Sequence, residues 1–314
     1  MKNLALFFVL ISSLVGAKDW AYVGHFPVIQ EPWYFSPARA IFYRSNKFYV
    51  SCYDKIFILD QNGKILKVIK PPIYQRPWND FSSIAIDSQE NIFVVNTILI
   101  YNQEVSFILK YDKNGNVLKV GAYIDPTAIF IDNYDNLYVV SIRNSKVTKM
   151  DTNLNILLEF GSLGSEPGQF YIPGDVWVDK NGKIYVSDNG NERIQVFDGN
   201  GQFLFMFGNE STLDPGSICV DFNGNIYVFD YLNHKIKKFS SNGTFIKEWG
   251  IYGNLEYQFK VIRDMACKDN MLYFIDVYLN RVQIFDTDGN FIGIWTPYGT
   301  SEGFFSEAMD IDVD

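Results

Sequence analysis

The chain has 314 residues, 47% hydrophobic and 17% aromatic, with 27 Lys and Arg against 36 Asp and Glu and a net charge of −9. That length and apolar content suffice for a large core, and the aromatic share suits sheet packing better than helix bundles. The acidic balance argues against a partner with a phosphate backbone or an anionic lipid surface.

Residues 1–17 read as a secretory signal: Lys2, an unbroken apolar run from Leu4 to Leu10, then Val15, Gly16 and Ala17. The stretch is too short to span a bilayer and ends in the small residues that suit cleavage after Ala17. Losing Lys2 leaves 26 basic against 36 acidic residues, a net charge of −10. The expected location is secreted or periplasmic, with no stable membrane insertion once the signal is removed. Export disfavours nucleic acid a second time.

Residues 18–314 read as a single domain built on repeats of about 45 residues. After residues 20–24, an isolated fourth-strand run, an aromatic recurs at Tyr49, Phe93, Tyr138, Tyr185, Tyr227 and Tyr273, with gaps of 44, 45, 47, 42 and 46 residues. That period matches a four-stranded propeller blade. Each copy contains four short runs, a to d, rich in β-branched and aromatic residues. Residues 175–178 illustrate run a, 183–186 run b, 193–198 run c and 202–207 run d. The prediction is an all-β, six-bladed β-propeller of four-stranded antiparallel blades. Residues 308–313 form an extra a-type run at the C-terminal end, opposite the extra d-type run at the N-terminal end. Either the two ends pair to close the ring, or the chain stops within a further repeat.

The a–b and c–d connections carry the tight-turn residues. Residues 179–182 and 221–224 join a to b; residues 60–63, 112–115, 240–243 and 286–289 join c to d. Their Asn-Gly and Asp-Gly pairs tolerate the positive φ of a two-residue hairpin. In a meander, alternate connections leave from opposite ends. The tight turns therefore share one face, and the longer b–c and d–a connections share the other.

That second face gathers the irregular sequence, including residues 30–34, 74–78, 97–106 and 164–170. Rigid scaffolds display binding residues on such loops. The candidate binding residues are Trp33, Tyr34, Arg76, Trp78, Arg143, Tyr171, Tyr231 and Tyr278, with Arg193 and Arg263 interspersed. Aromatic platforms stack on sugar rings or anchor protein partners; the competing use is packing between adjacent blades. Cys52, Cys219 and Cys267 lie far apart in apolar runs and read as three buried, structurally passive thiols.

These units resemble the NHL repeat, over nearly the whole chain and most closely over residues 161–285. The resemblance is carried by Gly168-Gln169-Phe170, Pro173, Val178-Asp179, the run from Gly182 to Asp188 and the run from Asn191 to Asp198. The next copy holds Asp230, Asn233, His234 and Lys235 at matching places. Cys52, Asn96 and Ser141 replace the Asp that ends run b in the later copies. The resemblance implies a ring of six blades and a binding role.

The chemistry-bearing residues are few. Asp188, Asp230 and Asp276 each end run b; recurrence favours turn capping over a cation ring. His25 and His234 are the only histidines. They cannot supply the several-histidine zinc set of peptide-amidating propeller lyases, nor do they sit beside a nucleophile. Asp175 and Asp264, near the mouth of run a, remain as weak candidates for a channel calcium of the kind other propeller hydrolases hold. The sequence thus favours an exported, non-catalytic scaffold without a cofactor, binding a protein, peptide or glycan through its b–c and d–a face. The alternative is a metal-dependent hydrolase or lyase with a central-channel site.

Overall fold

A computed structural model describes residues 38–44, 47–52, 56–60, 65–70, 79–100, 103–121, 125–208, 213–268, 270–276, 278–279, 281–295 and 311–313. The signal segment, the run at residues 20–24, His25, Trp33, Tyr34, Arg76 and Trp78 lie outside the described residues.

β-Branched and aromatic runs punctuated by Asp-anchored turns produce a succession of antiparallel meanders. The first holds β1 (Ala38–Arg44), β2 (Lys47–Cys52), β3 (Ile56–Asp60) and β4 (Ile65–Ile69). The second holds β5 (Asn79–Ile86), β6 (Ile92–Ile100), β7 (Gln103–Tyr111) and β8 (Val117–Val120). The third holds β9 (Ala128–Ile131), β10 (Leu137–Ser141), β11 (Lys146–Met150) and β12 (Ile156–Phe160). The fourth holds β13 (Pro173–Val178), β14 (Ile184–Asp188), β15 (Arg193–Phe197) and β16 (Phe203–Phe207). The fifth holds β17 (Pro215–Val220), β18 (Ile226–Asp230), β19 (Lys235–Phe239) and β20 (Phe245–Trp249). A two-stranded ribbon of β21 (Ile251–Tyr252) and β22 (Gln258–Phe259) precedes the last meander. That meander holds β23 (Ile262–Lys268), β24 (Met271–Asp276), β25 (Arg281–Asp286) and β26 (Phe291–Trp295).

The sequence predicts six four-stranded blades, and five sheets have that form. The sheet of β1–β4 has five strands, because β27 (Ile311–Val313) adds to β1 in parallel. Pairing with β1 gives the C-terminal run backbone partners that an isolated strand would lack. Each meander's first strand packs on the next one's, from β1 through β5, β9, β13 and β17 to β23, and β23 packs on β27. The first strands thus line the centre of a propeller.

The core lies between sheets. One cluster joins Tyr49, Ile56, Ile86, Val94 and Tyr111 across the first two sheets, and another joins Phe93, Val95, Ile131 and Leu137 across the next interface. Strands β10, β14 and β18 are buried at every position, whereas the outer strand β8 is exposed at every position. A middle strand covered on both faces needs continuous apolar sequence, which explains the unbroken b runs.

The repeat aromatic has a second task. The Tyr138, Tyr185 and Tyr227 hydroxyls donate to Oδ2 of Asp132, Asp179 and Asp221 at 3.1, 3.1 and 2.9 Å, and each Asp opens the a–b turn of its own sheet. The turns differ from the two-residue expectation. Residues 179–183 are typical: Asp179 Oδ1 accepts from Asn181 N and Lys183 N, and positive φ falls on Gly182 but not on Asn181. A type I turn followed by one left-handed residue gives this three-residue loop. Asp at the first position does the anchoring, which lets Glu90, Asp135 and Leu154 occupy the left-handed place elsewhere.

The expectation of three passive thiols is corrected. Cys219 on β17 and Cys267 on β23 form a disulfide, with Cα atoms 5.9 Å apart across 48 residues. The two strands are inner neighbours in consecutive sheets, about one repeat apart. No helix among the described residues is long and apolar enough to cross a membrane.

Candidate functional site

Each inner strand begins on the face where the b–c and d–a connections meet, and several begin with a β-bulge. The register shifts at Phe81/Ser83, Pro173/Val176, Pro215/Ile218 and Ile262/Asp264. Bulges re-aim side chains and free backbone donors. Here the residue at the bulge accepts from the backbone of the next sheet. Ser83 Oγ accepts from Ile129 N at 3.3 Å, Asp175 Oδ2 from Ile218 N at 2.9 Å, and Ser217 Oγ from Met265 N at 3.1 Å. Asp175 and Asp264 also cap their own strands, accepting from Val176 N and Met265 N at 2.8 Å each.

Ser217 lies between the two carboxylates, with its Oγ 3.0 Å from Asp175 Oδ2 and 3.2 Å from Asp264 Oδ1. Its one hydroxyl proton serves either carboxylate. Three sheets are therefore stitched side by side at the axis. The sequence brought forward Asp175 and Asp264 but missed Ser217, although Ser83, Asp175, Ser217 and Asp264 share one place in the repeat.

Above this stitching is a cavity of about 200 Å³. Its polar wall includes Asp175, Ser217, Asp264, Arg263, Asn189 and Tyr231, and its apolar wall includes Phe130, Val176, Trp177 and Met265. Phe130 and Trp177 lean together with ring centroids 4.7 Å apart. Tyr231 reaches the cavity over Gly216, where a Cβ would meet the ring at 2.5 Å. Only glycine permits that approach. Burial pushes the Tyr231 hydroxyl above its ordinary pKa; Arg263 opposes the shift, and Asp175, Asp214 and Asp264 reinforce it. The Asn189 Oδ1 atom is buried and has no hydrogen-bond partner.

The chemistry of the carboxylates fits a cation cage poorly. Calcium takes six to eight oxygens, while Asp175 already accepts from two backbone N–H groups and the Ser217 hydroxyl. Among the described residues no group of three or more His, Cys, Asp and Glu side chains is arranged to hold a metal ion.

The Asp residues that end b strands bind the rim together. Asp188 accepts from Tyr171 N, Asn191 Nδ2, Arg193 Nε and Gln195 Nε2 at 2.7 to 2.9 Å. Arg193 in turn donates to the carbonyls of Ser165, Glu166 and Gln169, fastening the incoming d–a connection. Arg281 repeats the grip on the Asn254, Leu255 and Gln258 carbonyls, and Asp276 accepts from Lys260 N. Asp230 is paired with Lys237 Nζ at 2.6 Å. Burial alone would raise the Asp230 pKa, but hydrogen bonds from Asn233 and Lys237 hold it below its ordinary value. These carboxylates cap turns and clamp loops.

The remaining described candidates scatter over the rim. Tyr171 and Tyr278 are 49% and 70% exposed. Arg143 is exposed with its Nε 3.2 Å from Asp125 Oδ2. Of the candidate aromatics among the described residues, Tyr231 alone joins Asp175 and Asp264 in the cavity. His234 is held by its Nδ1 against the Lys260 carbonyl at 2.7 Å and by Tyr252, away from the axial group.

Fold and site together define a β-propeller with a polar axial cavity under an irregular rim. Residues 170–197 match the NHL repeat. Human NHL repeat-containing protein 3 is 26% identical over 166 residues, which is 44% of this chain and 46% of that protein. A probable peptidyl-alpha-hydroxyglycine alpha-amidating lyase, pgal-1 of Caenorhabditis elegans, is 30% identical over 111 residues, covering 34% of this chain and 32% of its own length. The chain thus spans half or less of these two relatives. Among solved structures, a streptogramin B lyase superposes with a TM-score of 0.69 at 16% identity, covering 90% of each chain; that likeness shows the fold. The chain is a β-propeller that carries an NHL repeat at residues 170–197 and is similar to NHL repeat-containing protein 3 over part of its length.

Proposed function

We propose that this chain is an exported, non-catalytic scaffold that binds a protein or peptide through its b–c and d–a face. The observation that carries the reading is the distribution of exposed apolar side chains. Leu163, Tyr171, Leu232, Tyr252, Leu255 and Tyr278 are 49–70% exposed, and all lie in b–c or d–a connections. Among the described residues the tight-turn face offers two such side chains, Tyr134 and Phe222, each 76% exposed, and Lys180 Nζ stands 3.3 Å from the Phe222 ring centroid. Aliphatic side chains mixed with tyrosine suit peptide side chains better than sugar rings, because a glycan needs hydrogen-bonding groups beside each aromatic platform. A stapled rim supports the same use: Arg193 and Arg281 hold the connections in place before a partner arrives, which lowers the ordering cost of binding. The Cys219–Cys267 disulfide supports an oxidising compartment and hence export.

The test is site-specific photo-cross-linking in the source organism, with the probe at Tyr171 or Tyr278 and, separately, at Tyr134. The expected outcome is a single protein adduct from the rim positions and none from Tyr134. Adducts only from Tyr134 would refute the assignment of the face. A divalent ion retained stoichiometrically by the purified protein would favour the metal-dependent alternative.

A further inference from the structure

Apart from the rim, the axial cavity combines groups that inter-blade stitching does not use, Arg263 and Asn189, with the carboxylates that it does. Arg263 lines it, is exposed, and makes no hydrogen bond or ion pair among the described residues. The Asn189 Oδ1 atom is buried there without a donor. The Asp175 and Asp264 carboxylates line the same cavity, held at fixed positions by Ser217 and by backbone N–H groups. The lining also has an aromatic and aliphatic part, from Phe130, Trp177 and Met265.

We propose that this cavity is a binding site for a small zwitterion, an α-amino acid with an apolar side chain. Its ammonium group is recognised by Asp264 and the Asn189 carbonyl oxygen, its carboxylate by Arg263, and its side chain by the Trp177–Phe130 wall. The two-signed lining selects this class. A simple anion would meet two carboxylates, and a simple cation would leave the guanidinium facing it unanswered; a zwitterion satisfies both. Arginine suits the carboxylate end because its planar fork binds two oxygens at once. The size agrees: a cavity of about 200 Å³ has room for roughly a dozen water-sized groups, about one amino acid. The Tyr231 hydroxyl completes the polar wall as a donor to the ligand carboxylate. Fixed positions matter here, since the bulged strands hold both aspartates in place whether or not the ligand is present.

Isothermal titration calorimetry of the mature, oxidised protein with L-phenylalanine tests the proposal, with L-phenylalaninamide and N-acetyl-L-phenylalanine as the arms lacking one charge each. The expected result is saturable binding of the free amino acid and a loss of at least ~10-fold in affinity for each derivative. Arg263→Gln, at an exposed position where folding is not at stake, is expected to lower affinity for L-phenylalanine while leaving that for the amide unchanged. Asp264→Asn should likewise lower affinity for L-phenylalanine while leaving that for the N-acetyl derivative unchanged, and Lys113→Gln, on a c–d turn at the opposite face, should change nothing. No binding of free amino acids at millimolar concentration overturns the proposal, as does a derivative that binds as tightly as the free amino acid. The outcome is separable from that of the rim, because cross-linking at Tyr171 and Tyr278 reads a partner that need not enter the cavity.

Discussion

Replacing Asp188 with Asn tests whether the b-strand carboxylates are clamps. The side chain is fully buried and accepts four hydrogen bonds, one from Arg193 Nε at 2.8 Å in a pair whose side chains are 4% and 0% exposed. Asn keeps the shape but removes the charge and turns an NH₂ group toward donors. Breaking a buried ion pair from one side costs about 3–5 kcal/mol, because the surviving charge stays buried. Arg193 retains the Ser165, Glu166 and Gln169 carbonyls, so the lower end, about 3 kcal/mol, is expected. With a urea m-value of about 3 kcal/mol/M, the midpoint should fall by about 1 M. Adding Arg193→Met should recover part of the loss, since an apolar pair removes the stranded charge. The rim should loosen together with the fold, seen as faster amide exchange at Tyr171, whose N–H bonds to Asp188. A change below about 0.5 kcal/mol for Asp188→Asn, or strict additivity in the double variant, would refute the reasoning.

Removing the inter-sheet disulfide with Cys219→Ala should cost about 4 kcal/mol by the loop-closure relation for a bridge spanning 48 residues; chemical denaturation with and without reductant reads it, and equal midpoints would contradict the bond. Acid sensitivity follows from the lowered carboxylates. The Asn116 hydrogen bonds hold the Asp112 pKa below 3.8, and at Asp230 the bonds from Asn233 and Lys237 outweigh a burial effect of the opposite sign. For a depressed carboxylate, the stabilisation is complete above the unfolded pKa and is lost as pH falls through the folded one. Melting temperature should therefore drop below about pH 4, and Asp230→Asn should flatten that acid limb. Asp276 acts in the other sense: burial raises its pKa, so its contribution is present at low pH and declines as pH rises through the raised value. An acid limb unchanged in Asp230→Asn would remove Asp230 from this account.

The blades were legible because they depend on local chemistry. Tyr138, Tyr185 and Tyr227 recur because each must fill an interface and reach the Asp that opens its own turn. The turns were legible in place though not in type, since Asn-Gly pairs mark a loop without revealing that the preceding Asp anchors it. The axial group was half legible. Asp175 and Asp264 stood out as acids at the mouth of run a, but Ser217 between them reads as an ordinary strand residue. The rim candidates were chosen for their loop position, which does not separate Tyr231, turned toward the axis over Gly216, from Tyr278, which faces solvent.

The sequence alone determined the period, the strand character of the described runs and the parity that sends tight and irregular connections to opposite faces. Each of these is set within a few tens of residues by side-chain alternation and turn geometry. Only the tertiary structure decided that Cys219 meets Cys267, that β27 joins β1, and that Asp175, Ser217 and Asp264 meet at one axis. Those contacts depend on the rotation of one sheet against the next. That rotation is fixed by how the buried side chains of facing sheets interlock, and no spacing within a single repeat encodes it.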